Sequence, residues 1–312
     1  MENRIKGIHH ITAIAGDARK NYDFYTRVLG LRLVKKTVNF DDPNTYHFYY
    51  GDENGTPGTI LTFFPWGGQI SKGKRGTHQA TEIGYSVPEG SLEFWQKRLE
   101  ENNVIYNKPA EKFGQKYLTF LDPDGLKFEL VEVKGDNRKP WVTAEVPEAY
   151  ATRGFHHITI TTGKAEPTAY ILTKVFGYEL KQTEVNRFRY VTDAVEQAAI
   201  VDIVEVPGET SGVVAGGSVH HVAFRVTDEA TLMYFREKVL ALGIHITEKI
   251  DRNYFYSLYF REPGGVLFEI ATDNPGFATD ETVAELGSGL KLPAQYEAYR
   301  SEIEKVLPKL EA

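Results

Sequence analysis

A short motif recurs along this chain, and it constrains the fold more than any other feature. Gly7-Ile8-His9-His10-Ile11-Thr12 returns as Gly154-Phe155-His156-His157-Ile158-Thr159, and more loosely as Ser218-Val219-His220-His221-Val222-Ala223. Each copy is followed by a helical pattern stopped by glycine: Lys20 to Leu29 before Gly30, Glu166 to Phe176 before Gly177, and Glu229 to Leu242 before Gly243. Glycine suits the left-handed residue that ends a helix. A fourth unit lacks the histidine pair but keeps the rest, with Glu82-Ile83-Gly84-Tyr85-Ser86-Val87-Pro88 and then a helix over 91–102. The unit ends match as well. Asp122-Pro123-Asp124-Gly125 leads to Phe128-Glu129 as Glu262-Pro263-Gly264-Gly265 leads to Phe268-Glu269, each a turn entering a short strand.

Four modules follow from this repetition, near 5–70, 78–135, 153–207 and 217–273, each reading as a strand, a helix and three strands. Lys134 to Thr152, with Pro140 and Pro147, reads as a connection. The expected architecture is α+β: four βαβββ modules forming two paired-module domains, 1–140 and 150–275, with curved mixed sheets. Residues 276–312 read as a tail with an amphipathic helix at about 294–307.

Composition narrows the chemistry. The chain has no cysteine, which removes disulfides, cysteine–zinc sites, iron–sulfur clusters and thiol nucleophiles. Its net charge of −7 disfavours a dedicated nucleic-acid binder. The amino-terminal residues lack the apolar core of a secretory signal, and no apolar run approaches the ~20 residues that span a bilayer. A soluble cytoplasmic protein without a membrane partner is the expectation. Walker, G-x-G-x-x-G, G-x-S-x-G and H-E-x-x-H motifs are all missing.

Six of the nine histidines therefore draw attention, because they fall in doublets at one repeat position. On a regular strand the two rings of a doublet point to opposite faces. A single strand histidine is more often a hydrogen-bonded structural residue, and shared ancestry could copy a structural pair. Glu269 shifts the balance. It lies between Phe268 and Ile270, and a buried carboxylate without a partner costs several kcal/mol. A metal supplies that partner. Two imidazoles and one carboxylate form a facial triad with open positions, a set that suits non-haem Fe(II). His47, His78 and His245 are single and unrepeated, and read as structural or exposed.

The paired modules, the His-His openings and the Phe268-Glu269 closing strand resemble the vicinal-oxygen-chelate superfamily of glyoxalases and extradiol dioxygenases. More closely, the chain is similar to its ring-cleaving hydroquinone and chlorohydroquinone dioxygenases. Gly55-Thr56-Pro57-Gly58-Thr59, Lys112-Phe113-Gly114-Gln115 and Arg153-Gly154-Phe155-His156 extend the likeness across essentially the whole chain. The resemblance implies a cytoplasmic Fe(II) enzyme of aromatic catabolism that cleaves a hydroquinone- or catechol-like ring and inserts both atoms of O2. Its metal ligands would be His10, His221 and Glu269, with His9, His220, Tyr259 and Arg252 around them. Mn, Zn or Ni could replace iron in a purified sample. The implied partners are a small aromatic substrate and O2, with self-association left open. Strict alternation would turn His9 and His220 away from the metal unless a bulge brings them near it.

Alternatives stay open at this level. Modules three and four could close the site instead, giving His157, His221 and Glu269. Joining modules one and four leaves Glu82, Glu129, His157 and Asp202 facing one another, as a second or vestigial site or as a salt-bridged remnant. A glyoxalase-like isomerase or lyase would need a carboxylate base near the metal, where the repeat places Thr62 or Phe63. A metal-free resistance protein that binds small aromatics would have no need of Glu269.

Overall fold

The computed structural model describes residues 3–67 and 70–310. Each module delivers the strand, helix and three strands that the repeat predicts. The first holds β1 (Ile8–Ala15), α1 (Ala18–Asp23, running on as a π-helical turn Phe24–Val28), β2 (Arg32–Val38), β3 (Tyr46–Gly51) and β4 (Ile60–Pro65). The second holds β5 (Gln79–Pro88), α2 (Leu92–Glu101), β6 (Ala110–Lys112), β7 (Gln115–Leu121) and β8 (Lys127–Val133). The third repeats the π-helical turn, with β9 (Phe155–Thr162), α3 (Glu166–Tyr170, then Ile171–Val175), β10 (Glu179–Glu184), β11 (Arg187–Val191) and β12 (Ile200–Glu205). The fourth holds β13 (Ser218–Val226), α4 (Glu229–Leu240), β14 (Ile250–Asp251), β15 (Phe255–Arg261) and β16 (Leu267–Pro275). Asp17 and Asp228 start α1 and α4 by accepting the backbone N–H groups of Lys20 and Thr231.

The strands form two eight-stranded sheets, ordered β14-β15-β16-β13-β1-β4-β3-β2 and β10-β11-β12-β9-β5-β8-β7-β6. Modules one and four share the first sheet, and modules two and three share the second. The expected division into a 1–140 pair and a 150–275 pair therefore does not describe the sheets, which join across it. Sequence neighbours meet back to back instead, through their apolar faces. Phe24 and Tyr25 of module one reach Phe120 and Phe128 of module two, and Phe176 of module three lies against Phe224 and Phe268 of module four. Hydrophobic burial joins modules within each half, while backbone hydrogen bonds join modules across the halves.

The tail begins with short 3-10 turns and ends in α5 (Arg300–Val306), so only part of the helix expected at 294–307 is α-helical. It covers the edge strand β2, where the buried Lys35 ammonium lies 2.5 Å from both Asp280 and Glu281. Among the described residues no helix is long and apolar enough to cross a membrane.

Candidate metal centre

The seam of the first sheet pairs β1 with β13 antiparallel, and two irregularities in its register place the histidines. Ile8 and His10 face the adjacent residues Phe224 and Ala223, which leaves His9 as an extra residue. On the other strand, Thr12 and Ala13 face His221 and Val219, which leaves His220 extra. Each doublet thus begins with a bulge, and a bulge re-aims the side chains beside it. This is the local distortion that strict alternation required. Beyond the bulge, Ile11, Ala13 and Ala15 enter the core, and His10 and Thr12 turn to the opposite face.

His10, His221 and Glu269 converge there, all buried. Their nearest atoms are His10 Nε2 and His221 Nε2, which lie 3.1 Å and 2.8 Å from Glu269 Oε2. Neither His221 Nε2 nor Glu269 Oε2 has a hydrogen-bond partner, because the close contact lacks the alignment of an N–H···O bond. The other carboxylate oxygen accepts from the Ser257 hydroxyl. Burial opposes the charge on Glu269, so the carboxylate needs a cation beside it.

The surrounding hydrogen bonds dictate where the ring protons sit. His9 Nε2 lies 3.0 Å from the Thr272 carbonyl oxygen, so it must carry a hydrogen and donate. Burial, reinforced by His10, holds the His9 ring neutral, which leaves its Nδ1 bare, 2.9 Å from His10 Nδ1. His10 Nδ1 then donates, and His10 Nε2 presents a lone pair toward Glu269. A lone pair facing a carboxylate oxygen is repulsive unless a cation lies between them. The donor set fits a divalent metal on this ground.

A cavity of about 480 Å³ opens beside the three residues. Its walls include Phe40, Tyr49, Phe64, Trp66 and Phe255, with His220, Arg252 and Tyr259 among its polar groups. Tyr259 stands edge-on to His221, and Arg252 Nε lies 3.3 Å from its hydroxyl. His9 stays behind His10 and does not line the cavity. His47, read from sequence as structural or exposed, does line it. Tyr49 donates to His47 Nδ1 at 3.0 Å, and His47 Nε2 lies 2.9 Å from Thr62 Oγ1. Alternation along β3 carried the missing signal. Phe48 and Tyr50 join the core, so His47 and Tyr49 must face the side that Thr62 faces.

The second sheet gathers Glu82, Glu129 and His157 in the same manner, at the β5–β9 seam. There, however, Lys112 reaches Glu129 at 2.5 Å, and Lys127 and Arg187 reach Glu82 at 2.6 Å and 3.1 Å. Arg189 holds Asp202 with two nitrogens, at 2.8 Å and 2.9 Å.

The family model for the Glyoxalase/Bleomycin resistance protein/Dioxygenase superfamily matches residues 7–130 and 154–270, and the chain belongs to that superfamily. It is 45% identical over 307 residues to the Bacillus subtilis protein MhqO, provisionally assigned as a ring-cleaving dioxygenase, covering 98% of this chain and 97% of that one. It is 37% identical over 309 residues to a chlorohydroquinone/hydroquinone 1,2-dioxygenase of Sphingobium indicum, covering 97% and 96%. A crystal structure of a provisionally assigned Bacillus subtilis dioxygenase matches with a TM-score of 0.95 at 44% identity, over 99% of this chain and 98% of that one. Glyoxalase I from Zea mays shares the fold alone, with a TM-score of 0.63 at 15% identity over 86% of this chain and 92% of that one.

Proposed function

We propose that the chain is an Fe(II)-dependent ring-cleaving dioxygenase for hydroquinone- or catechol-like aromatics, with His10, His221 and Glu269 as the metal ligands. The observation that carries this reading is the buried Glu269 Oε2, unpartnered beside the imidazole nitrogens of His10 and His221, which line an aromatic-walled cavity. The names of the relatives support the reaction class. Bound there, Fe(II) would supply the redox chemistry that lets an electron-rich ring react with O2.

The chain's own residues hold and orient the ring. His220 lines the cavity, and burial, with His221 beside it, pushes its ring down to about 4. A His221 that ligates through Nε2 carries its hydrogen on Nδ1, 2.8 Å from His220 Nδ1, so the neutral His220 ring keeps its own hydrogen on Nε2 and donates it to a substrate oxygen. Burial and the nearby Glu269 raise Tyr259, so its hydroxyl keeps its hydrogen and donates to a substrate oxygen. Arg252 stays cationic at the Tyr259 hydroxyl and favours an anionic ring oxygen.

The isomerase reading needs a carboxylate where this site has Thr62, whose hydroxyl is engaged with Thr12 and His47. Protein prepared without air, assayed for metal and then for oxygen uptake on hydroquinones and catechols, tests the proposal. One O2 consumed per ring cleaved, with iron in stoichiometric amount, is expected. An iron-loaded protein that consumes no O2 across the panel would reject ring cleavage.

A further inference from the structure

The second cluster copies the backbone of the first. Its seam carries the same two irregularities, which leave Thr81 and His156 as extra residues. Matching register puts His157 where the first centre has His10, since each sits two pairs before the Thr12–Thr62 or Thr159–Asp202 step. Glu82 falls at the position of His221, and Glu129 at that of Glu269. All are buried, and His157 Nε2 has no hydrogen-bond partner although it lies 3.2 Å from Glu129 Oε2. The geometry is that of a metal site.

Two features close it. The Lys112 ammonium lies 2.5 Å from that same Glu129 oxygen and 3.8 Å from Glu82 Oε2, between two of the three donors. A metal would need about 2.0–2.2 Å to each, and it cannot share that oxygen's approach with an ammonium. The second feature is the proton order of the histidines. Arg189 can only donate, so it fixes the Gln115 oxygen toward itself at 2.6 Å. The Gln115 amide nitrogen, 3.1 Å from His156 Nε2, must then donate to that ring. His156 Nδ1 therefore carries the hydrogen and gives it to His157 Nδ1 at 2.8 Å, which leaves the hydrogen of neutral His157 on Nε2. In the first centre a carbonyl receives the chain of rings; here an amide feeds it, and every proton is reversed.

We propose that the second centre is a divalent-metal site held closed by the protein's own cation, with Lys112 in the place of the metal and Gln115 holding His157 in the tautomer that cannot ligate. Opening it takes two changes. Lys112→Met removes the ammonium while keeping an apolar stem against Tyr117, whose ring now lies 4.6 Å below the charge. Gln115→Glu gives His156 Nε2 an acceptor and retains the pairing with Arg189, which restores the proton order of the first centre.

The inference takes the metal role of His10, His221 and Glu269 as its template, but its test reads only a difference. Full-length protein is titrated with Co(II), followed by the ligand-field band of the bound ion and by elemental analysis. The Lys112→Met/Gln115→Glu protein should bind about one more Co(II) per chain than the parent, whereas Gln115→Glu alone should gain none. If the first centre held no metal, both totals would fall together and the increment would stand. An unchanged count in the folded double variant overturns the proposal. Should that variant not fold, the His221→Ala protein carries the test, because its intact second centre must take up no Co(II). A bound ion there overturns the proposal equally.

Discussion

The two centres occupy matching positions in two sheets, yet lysines and an arginine meet the carboxylate donors in only the second. His10, His221, Glu269 and Thr62 in the first answer to His157, Glu82, Glu129 and Asp202 in the second. Bulged seams converge the donors in both, so convergence is a property of the backbone and does not by itself signal function. What stands across from the donors separates the two. Tyr49 and Arg189 hold equivalent places beside Thr62 and Asp202, an aromatic wall in one sheet and a guanidinium in the other. The first centre keeps a single carboxylate, two histidines and a cavity. In the second, carboxylates are matched by lysines and arginines that fill the space between them. Duplication supplied the same scaffold twice, and the facing side chains decided its use.

The largest effects should follow from deleting equivalent residues. Glu269→Ala should lose the metal and turnover while keeping the fold, since the strand stays packed without its anionic ligand. Glu129→Ala should keep both but lose about 3–5 kcal/mol of stability, because it strands the Lys112 charge in a buried site. Full iron occupancy in Glu269→Ala would sink the assignment of the centre. The histidines extend the contrast: His10→Ala should abolish iron binding and activity, and His157→Ala should retain them. A metal-free His157→Ala protein beside an iron-replete His10→Ala protein would move the active site into the other sheet.

Much of this contrast was legible in the sequence. The repeat gave the modules, and Glu269 on an apolar strand pointed to a metal. The joining of modules one and four was available only through the family likeness, because 1–140 and 150–275 look like natural units and do pack as such through their aromatic cores. Pairing of β1 with β13 depends on which strand edges meet, and that is not a local property. Lys112 and Gln115 stood out only as part of a segment shared with the family, and their role carried no signal, because it comes from partners on distant strands, Glu129 on β8 and Arg189 on β11. His47 was missed for a different reason. It is an unrepeated histidine, and the face it shares with Tyr49 is its informative property.

Substitution of Tyr259 sharpens the comparison at smaller amplitude. Tyr259→Phe should keep its iron and turn over about 10- to 10³-fold more slowly, the range of one lost acid–base or oxyanion contact. Its equivalent in the second sheet is Thr119, which faces Glu129 as Tyr259 faces Glu269. Thr119→Val should leave turnover with the same hydroquinone unchanged. Equal rates for Tyr259→Phe and the parent would remove Tyr259 from the reaction.

The smallest effect concerns a place where the two halves agree. Asp122 and Glu262 open equivalent turns, each buried and accepting backbone N–H groups from the residues that follow. Burial raises both carboxyls, and Asp122, with Asp124 nearby, is pushed up to about 7 while Tyr25 donates to it. A carboxyl raised in the fold favours its protonated form there. Its contribution to stability is therefore complete below the ordinary Asp value of about 4 and is lost as pH rises through about 7. Denaturant unfolding of the parent should show stability falling across that window, and Asp122→Asn should remove about 1–3 kcal/mol of the fall, since an amide has no charge to bury. Iron content and turnover should not change, because the turn touches neither centre. Superimposable stability profiles for parent and variant would show that Asp122 does not titrate in this range. A change in iron content would instead mean that the turns and the centres are coupled, and the difference between the sheets would then extend beyond the residues that face their donors.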